Sequence, residues 1–270
     1  MQNRVITIFS SVVVLLASSM VARPQTVKQP VSAAAKPATG SPPDLSGVWV
    51  SAVANGAPRQ RTANAPVSPE TDEADDAVFT HSPLPLQPWA EEKFNYNRSP
   101  VSPFTQGRNE LNPYLTNCSP QGPTVDWQFG VFPFEIIQSP KRVLIIFERD
   151  HEIRQIWTDG REHPKDFGHT WMGHSIGHWE GDTLVVDTIG LNDLTWLDKA
   201  GHIHSDALHL IERLRRVAPD KLLLNITFDD SKTFTKPWTA FRNFYLKPNW
   251  ELEEEILCED KFLGKPIPLQ

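Results

Sequence analysis

The sequence predicts an all-β domain, an antiparallel meander closed as a barrel or folded as a sandwich, behind a proline-rich N-terminal arm. Three observations carry this. From Phe132 onward, short runs rich in β-branched and aromatic residues arrive at nearly regular spacing. Turn signals separate many of them: Ser139-Pro140, Asp159-Gly160, Glu180-Gly181-Asp182 and Pro219-Asp220. Within runs such as "KLLLNITFDD", apolar residues recur at every second position, so that Leu222, Leu224, Ile226 and Phe228 share one face. Glycines and prolines throughout this stretch oppose a helical reading.

Taken in order, residues 1–22 have the layout of a secretory signal peptide. One early cation, Arg4, precedes an apolar run that ends in small residues, with cleavage expected after Ser19 or Ala22. The run is shorter than a membrane span and diluted by serines, so no span is expected once it is removed. A periplasmic or extracellular location follows. Residues 23–43 are dominated by Pro, Ala, Ser and Thr without an apolar period, and read as a flexible linker. A single domain is expected over 44–270. It opens with the strand "DLSGVWVSA", Asp44 to Ala52.

Residues 55–125 carry eleven of the 24 prolines and no sustained period, which predicts an extended arm wrapped over the core. Within it "LQPWAEEKFNYN", Leu86 to Asn97, places a proline near a helix start and acids in the first turn, so one short helix is expected. The strands that follow are "FPFEIIQ", "RVLIIFER", "EIRQIWT", "HSIGHWE", "DTLVVDTIG", "ALHLIERLRRV", "KLLLNITFD", "WTAFRNFYL" and "LEEEILC". Eight to ten strands result, and "WEGDTL" is a tight hairpin.

Composition excludes some functions. A net charge of −7, with no basic cluster longer than Arg213–Arg216, argues against nucleic acid as a partner. No Gly-x-Ser-x-Gly elbow, P-loop, dinucleotide fingerprint or His-Glu-x-x-His is present. In an exported chain the two cysteines, Cys118 and Cys258, read as one disulfide. Closing so long a loop would stabilise the fold by roughly 4–5 kcal/mol in the chain-entropy model. The alternative is two separate buried thiols. The sequence leaves oligomeric state open.

The blocks "WMGHSIGHWEGDTLVVDT", Trp171 to Thr188, and "HSDALHLIERLRR", His204 to Arg216, together with "DDSKTFTKPW", resemble a large set of exported bacterial proteins of unassigned function. The likeness covers Asp44 to the C-terminus and implies kinship without an activity. Members of that set usually carry Arg where this chain has His178, which implies that His178 is not essential. Separately, "LSGVW", Leu45 to Trp49, resembles the Gly-x-Trp opening of lipocalin-like barrels and implies that closed form of the meander.

Seven of the nine histidines fall between His163 and His209. On a strand His174 and His178 point the same way but stand roughly 13 Å apart, too far to share one ion. His202 and His204, if extended, share a face about 6.6 Å apart, and Asp206 continues it. These three residues are the candidate divalent-metal donors; no other cofactor is implied. Glu212 falls in a row with Leu208, Leu210 and Leu214, where desolvation would raise its pKa and favour acid–base work. The alternative is an ion pair with an arginine of the arm, Arg98 or Arg108. His174 is the expected catalytic partner of Glu212, with His204, Asp206, His209 and Trp171 contacting a ligand. The functional expectation is a barrel binding a small apolar or sugar-like molecule in a cavity lined by histidine and carboxylate. The alternatives are an acid–base or metal-assisted isomerase, hydratase or hydrolase using Glu212 and His174, and a structural envelope protein without a pocket.

Overall fold

The structure, a computed structural model, describes residues 42–51, 54, 79–80, 82–100, 107–128 and 132–254. Nine strands run in chain order: β1 Gly47–Ser51, β2 Phe134–Ser139, β3 Arg142–Phe147, β4 Ile153–Trp157, β5 His174–Glu180, β6 Thr183–Ile189, β7 His209–Ala218, β8 Lys221–Asp229 and β9 Trp238–Leu246. Each pairs with its neighbours, and β1 pairs with β9 through Trp49↔Leu246, Val50↔Tyr245 and Ser51↔Phe244. The sheet therefore closes as the expected barrel, not as a sandwich, and leaves no edge strand.

One junction departs from the antiparallel meander. β4 and β5 run parallel, with Ile156 opposite Ser175 and Trp157 opposite Ile176. A parallel pair cannot be joined by a tight hairpin, and residues 158–173 make the crossover. The crossover re-enters the sheet at Gly173, whose φ is +65° and where a Cβ would lie 2.7 Å from the Ile189 carbonyl oxygen. The expected hairpin between β5 and β6 is present. Glu180 pairs with Thr183 across Gly181 and Asp182, and Gly181 at φ +62° supplies the first central position of a type II′ turn.

Alternation decides which side chains enter the barrel. On β8, Leu222, Leu224, Ile226 and Phe228 are all fully buried, and on β7 so are Leu210, Glu212 and Leu214. Trp49, Phe134, Ile136, Ile145, Phe147, Ile156, Leu184, Val186 and Phe244 join the same core. Of the last expected strand, "LEEEILC", residues 252–254 are not strand and the remainder lies outside the described residues.

The arm is more helical than one short helix. α1 spans Pro88–Asn97 as expected, and α2 Pro113–Asn117 and α3 Gly122–Asp126 follow, with a 3₁₀ turn at Asn109–Leu111 before them. All three α-helices begin with a proline in the first turn. There the missing N–H costs nothing and the fixed φ favours the helix. At α2 the Asn112 side chain also caps the Tyr114 N–H at 3.0 Å. α3 delivers Trp127 into the core, 1% exposed, with ring centroids 5.2, 5.5 and 5.6 Å from Phe134, Phe147 and Phe244. Cys118 caps the end of α2. Cys258, its expected disulfide partner, lies outside the described residues, as do residues 1–41, which hold the expected signal peptide and all of the expected linker except Pro42 and Pro43.

Candidate functional site

The structure separates Glu212 from His174. Glu212 lies inside the barrel with no exposure at all. Its Oε1 accepts from Trp127 Nε1 at 2.6 Å and from Arg154 Nη1 at 2.7 Å, and its Oε2 accepts from Arg154 Nη2. Arg154 Nη2 also donates to Thr188 Oγ1 at 2.9 Å, and the Ser175 and Thr188 hydroxyls bond each other at 2.9 Å. Each carboxylate oxygen thus has a charged donor, so the acid is not left unpaired among leucines. The arginine comes from β4, not from the arm as Arg98 or Arg108 would, and the arm's contribution is the indole of Trp127.

His174 opens β5 one residue before the inward Ser175 and so faces outward. There it meets the crossover. His163 Nδ1 and His174 Nδ1 lie 2.8 Å apart, so one ring donates to the other, and Phe167 packs edge-on against His174 with centroids 5.1 Å apart. Asp187 on β6 joins them: its Oδ1 is 3.2 Å from His163 Nε2 and 2.8 Å from His209 Nε2. Burial, then the His163 and Arg161 charges, push the His174 pKa down. The Asp187 hydrogen bond raises that of His209 against a smaller burial effect. At Asp187 burial opposes ionisation, but the two imidazoles outweigh it and hold the carboxyl below its usual range. His209 therefore sits with His174 on the outer surface. His178 is exposed beside Glu180.

The three expected metal donors do not meet either. His202 and His204 precede β7 in a loop, not in an extended strand, and each ring has its own partner. His204 is buried; its Nδ1 donates to the Ser205 carbonyl at 3.1 Å, and Nε2 accepts from Thr195 Oγ1 at 2.8 Å. Burial lowers its pKa, which leaves a neutral, structural imidazole. Asp206 turns outward to Lys232 Nζ at 2.5 Å, whose hydrogen bond lowers the carboxyl pKa. Among the described residues no group of three or more His, Cys, Asp or Glu side chains is arranged to hold a metal ion. Trp171 is half-buried, and its carbonyl oxygen lies 2.9 Å from where a Cβ on Gly122 would be, so its backbone packs on the start of α3.

His202 is the exception in chemical setting. Its Nδ1 is 2.6 Å from Asp198 Oδ2, and its ring stacks on Phe94 of α1 with centroids 3.7 Å apart and planes 8° apart. It borders a cleft of about 340 Å³ between α1 and residues 82–86, lined also by Leu84, Leu86, Glu91, Phe94 and Arg98. An apolar lining with a few convergent polar groups is the usual make-up of a small-molecule site. The Asp198–His202 spacing, four residues with Gly201 between, was visible in "DKAGH". What the sequence could not show is that α1, more than a hundred positions earlier, closes over it.

A second buried acidic pair was missed. Asp126 at the end of α3 and Glu152 before β4 face each other beside Arg149. Burial, then the Glu152 charge, raise the Asp126 pKa well above the usual range, and burial also raises that of Glu152. Glu152 Oε1 accepts the Gln121 N–H at 3.0 Å. Burial likewise lifts the nearby Tyr114 phenol to about 12. The folded state therefore holds a proton here that the unfolded chain releases, so stability falls as pH rises above the ordinary aspartate range. Asp126→Asn, which keeps a donor toward Glu152 without the charge, is expected to raise Tm by about 3–8 °C at pH 7–8. The gain should vanish near pH 4. Differential scanning calorimetry across that range checks this, and a gain independent of pH would refute it.

Fold and clusters define a closed nine-stranded barrel with a polar network sealed inside it and its open cleft outside. Compared with protein-family models, curated proteins and solved structures, the chain matches none.

Proposed function

We propose that the protein is exported and binds a small, partly apolar molecule, and that the ligand sits in the cleft between α1, residues 82–86 and His202. The observation that carries this reading is the cleft itself, where Leu84, Leu86 and Phe94 offer apolar wall and Glu91, Arg98 and His202 offer polar contacts. The barrel interior supports the same placement, because Trp127 and the Arg154–Glu212 pair occupy its centre. The resemblance of the Trp171–Thr188 and His204–Arg216 blocks to exported bacterial proteins, and the proposed Cys118–Cys258 bridge, accord with an extracytoplasmic location.

The test uses protein recovered from the extracytoplasmic fraction. Its mass should place the N-terminus at Met20 or Arg23, and a chain retaining Met1 would overturn export. The neutral dye N-phenyl-1-naphthylamine is expected to bind saturably, and Leu84→Asp and Phe94→Ala should each weaken it about 10- to 100-fold, since losing one apolar contact costs about 1.5–3 kcal/mol. Dye binding indifferent to both changes removes the cleft site. The scaffold reading, favoured by the closed interior network, would then stand.

A further inference from the structure

We infer that His202, oriented by Asp198, is a general base that activates water against a small ester of an apolar acid seated in the cleft. This rests on the cleft being the binding site. Asp198 is 3% exposed, and its Oδ1 accepts the backbone N–H groups of Ala200 at 3.0 Å and His202 at 3.2 Å. Its other oxygen is thereby aimed at His202 Nδ1. A carboxylate can only accept, so Nδ1 carries the proton and Nε2 presents its lone pair. No described residue bonds Nε2, and the His202 side chain retains 12% exposure. Phe94 lies flat against the ring and fixes its rotation. The loop itself is pinned to α1: Asn97 Nδ2 donates to the Gly201 carbonyl at 3.0 Å. Gly201 at φ +100° leaves no room for a Cβ, which would approach Asn97 Cβ to 2.9 Å. A carboxylate, an imidazole of set tautomer and a neighbouring cleft make up the orienting pair of an acid–base catalyst.

The chemistry closes without a further reagent. Nε2 takes a proton from water as the water oxygen bonds to the acyl carbon, and the carbonyl electron pair moves onto oxygen. Arg98, one residue beyond α1 in the cleft lining, is the cation near which that oxyanion develops. Collapse breaks the bond to the alcohol oxygen, which receives the proton from Nε2. The products are an acid and an alcohol. Leu84, Leu86 and Phe94 set the preference for an apolar acyl group.

The test measures p-nitrophenyl butyrate hydrolysis by the mature protein from pH 5 to 9, with circular dichroism confirming that each variant folds. Wild type is expected to show saturable turnover that rises through one ionisation. His202→Gln should lose at least about 100-fold in kcat. Asp198→Asn should lose about 10–100-fold in kcat with KM little changed, because the ring is no longer held in place for proton transfer. Asp198→Glu should recover part of the rate. If the dye binds in the cleft but wild type hydrolyses the ester no faster than His202→Gln, the base falls and the binding site stands. If Asp198→Asn leaves kcat unchanged or alters KM alone, Asp198 is structural only and the pair is overturned. Failure of the dye to bind would instead remove the site itself.

Discussion

Replacing Arg154 by methionine is expected to destabilise the barrel by about 3–5 kcal/mol, the usual cost of leaving one member of a buried ion pair alone. The size of the effect follows from geometry. Glu212 is wholly buried on β7 and Arg154 is 1% exposed on β4, so neither charge can turn to water when its partner goes. The Ser175 and Thr188 hydroxyls would also lose the guanidinium that bonds them, and Trp127 Nε1 would remain as the donor to Glu212. In contrast, the double variant Arg154→Met with Glu212→Leu removes both charges and is expected to recover most of the loss, since an apolar pair of similar volume is often as stable. Urea unfolding of the three proteins, followed by tryptophan fluorescence, measures all of this. A single variant within about 1 kcal/mol of wild type would mean that water reaches the acid, and the sealed interior would have to be abandoned.

That ion pair also marks where sequence reasoning reached its limit. The inward row of β7 was legible: Leu208, Leu210, Glu212 and Leu214 share a face because a strand repeats every two residues, and burial follows. The same rule places Arg154 beside Ile156 on the inward face of β4, so a charge of opposite sign in an apolar row was there to be found. What alternation cannot supply is which inward rows meet across the barrel. That depends on the parallel junction of β4 with β5, and no local signal announced it. His174 shows the consequence. Its strand and spacing were readable, but Ser175 takes the inward position, so His174 faces outward, on the opposite side of the sheet from Glu212. The histidine clustering along the chain reflects separate settings, among them an outer-face group with Asp187, an exposed ring beside Glu180, a buried ring on Thr195, and His202 on Asp198. The arm was harder still. Pro88 is readable as a helix start because acids follow it in the first turn, whereas Pro113 and Pro123 begin helices of only five residues, too short to show a period. Phe94 and Trp127 matter through contacts with residues far away in the chain, His202 and Glu212, and such contacts leave no periodic trace.

Trp127→Ala is expected to cost about 3–5 kcal/mol, the range for deleting a large buried aromatic, and to loosen the arm from the barrel. Two contributions can be separated. Most of the loss is packing: the indole fills the space between Phe134, Phe147 and Phe244, and alanine would leave a cavity that a closed sheet cannot collapse to fill. The smaller part is polar. Trp127→Phe keeps much of the ring but withdraws the N–H from Glu212 Oε1, leaving Arg154 as the partner of that oxygen, and should cost about 1–3 kcal/mol. Because the indole and the carboxylate touch, Trp127→Phe and Glu212→Gln should not be additive; a coupling of about 0.5–3 kcal/mol is expected from the double-mutant cycle. α3 is only five residues long, too short to persist alone, so its order depends on the tryptophan seated in the core. Limited proteolysis should therefore cut Trp127→Ala within residues 107–128 under conditions where wild type resists, with the fragments identified by mass. If the alanine variant unfolds earlier yet resists cleavage there, the arm is held by its other contacts, such as Gln128 Nε2 on the Leu197 carbonyl at 3.2 Å, and the indole is a filler of the barrel without being its anchor to the arm.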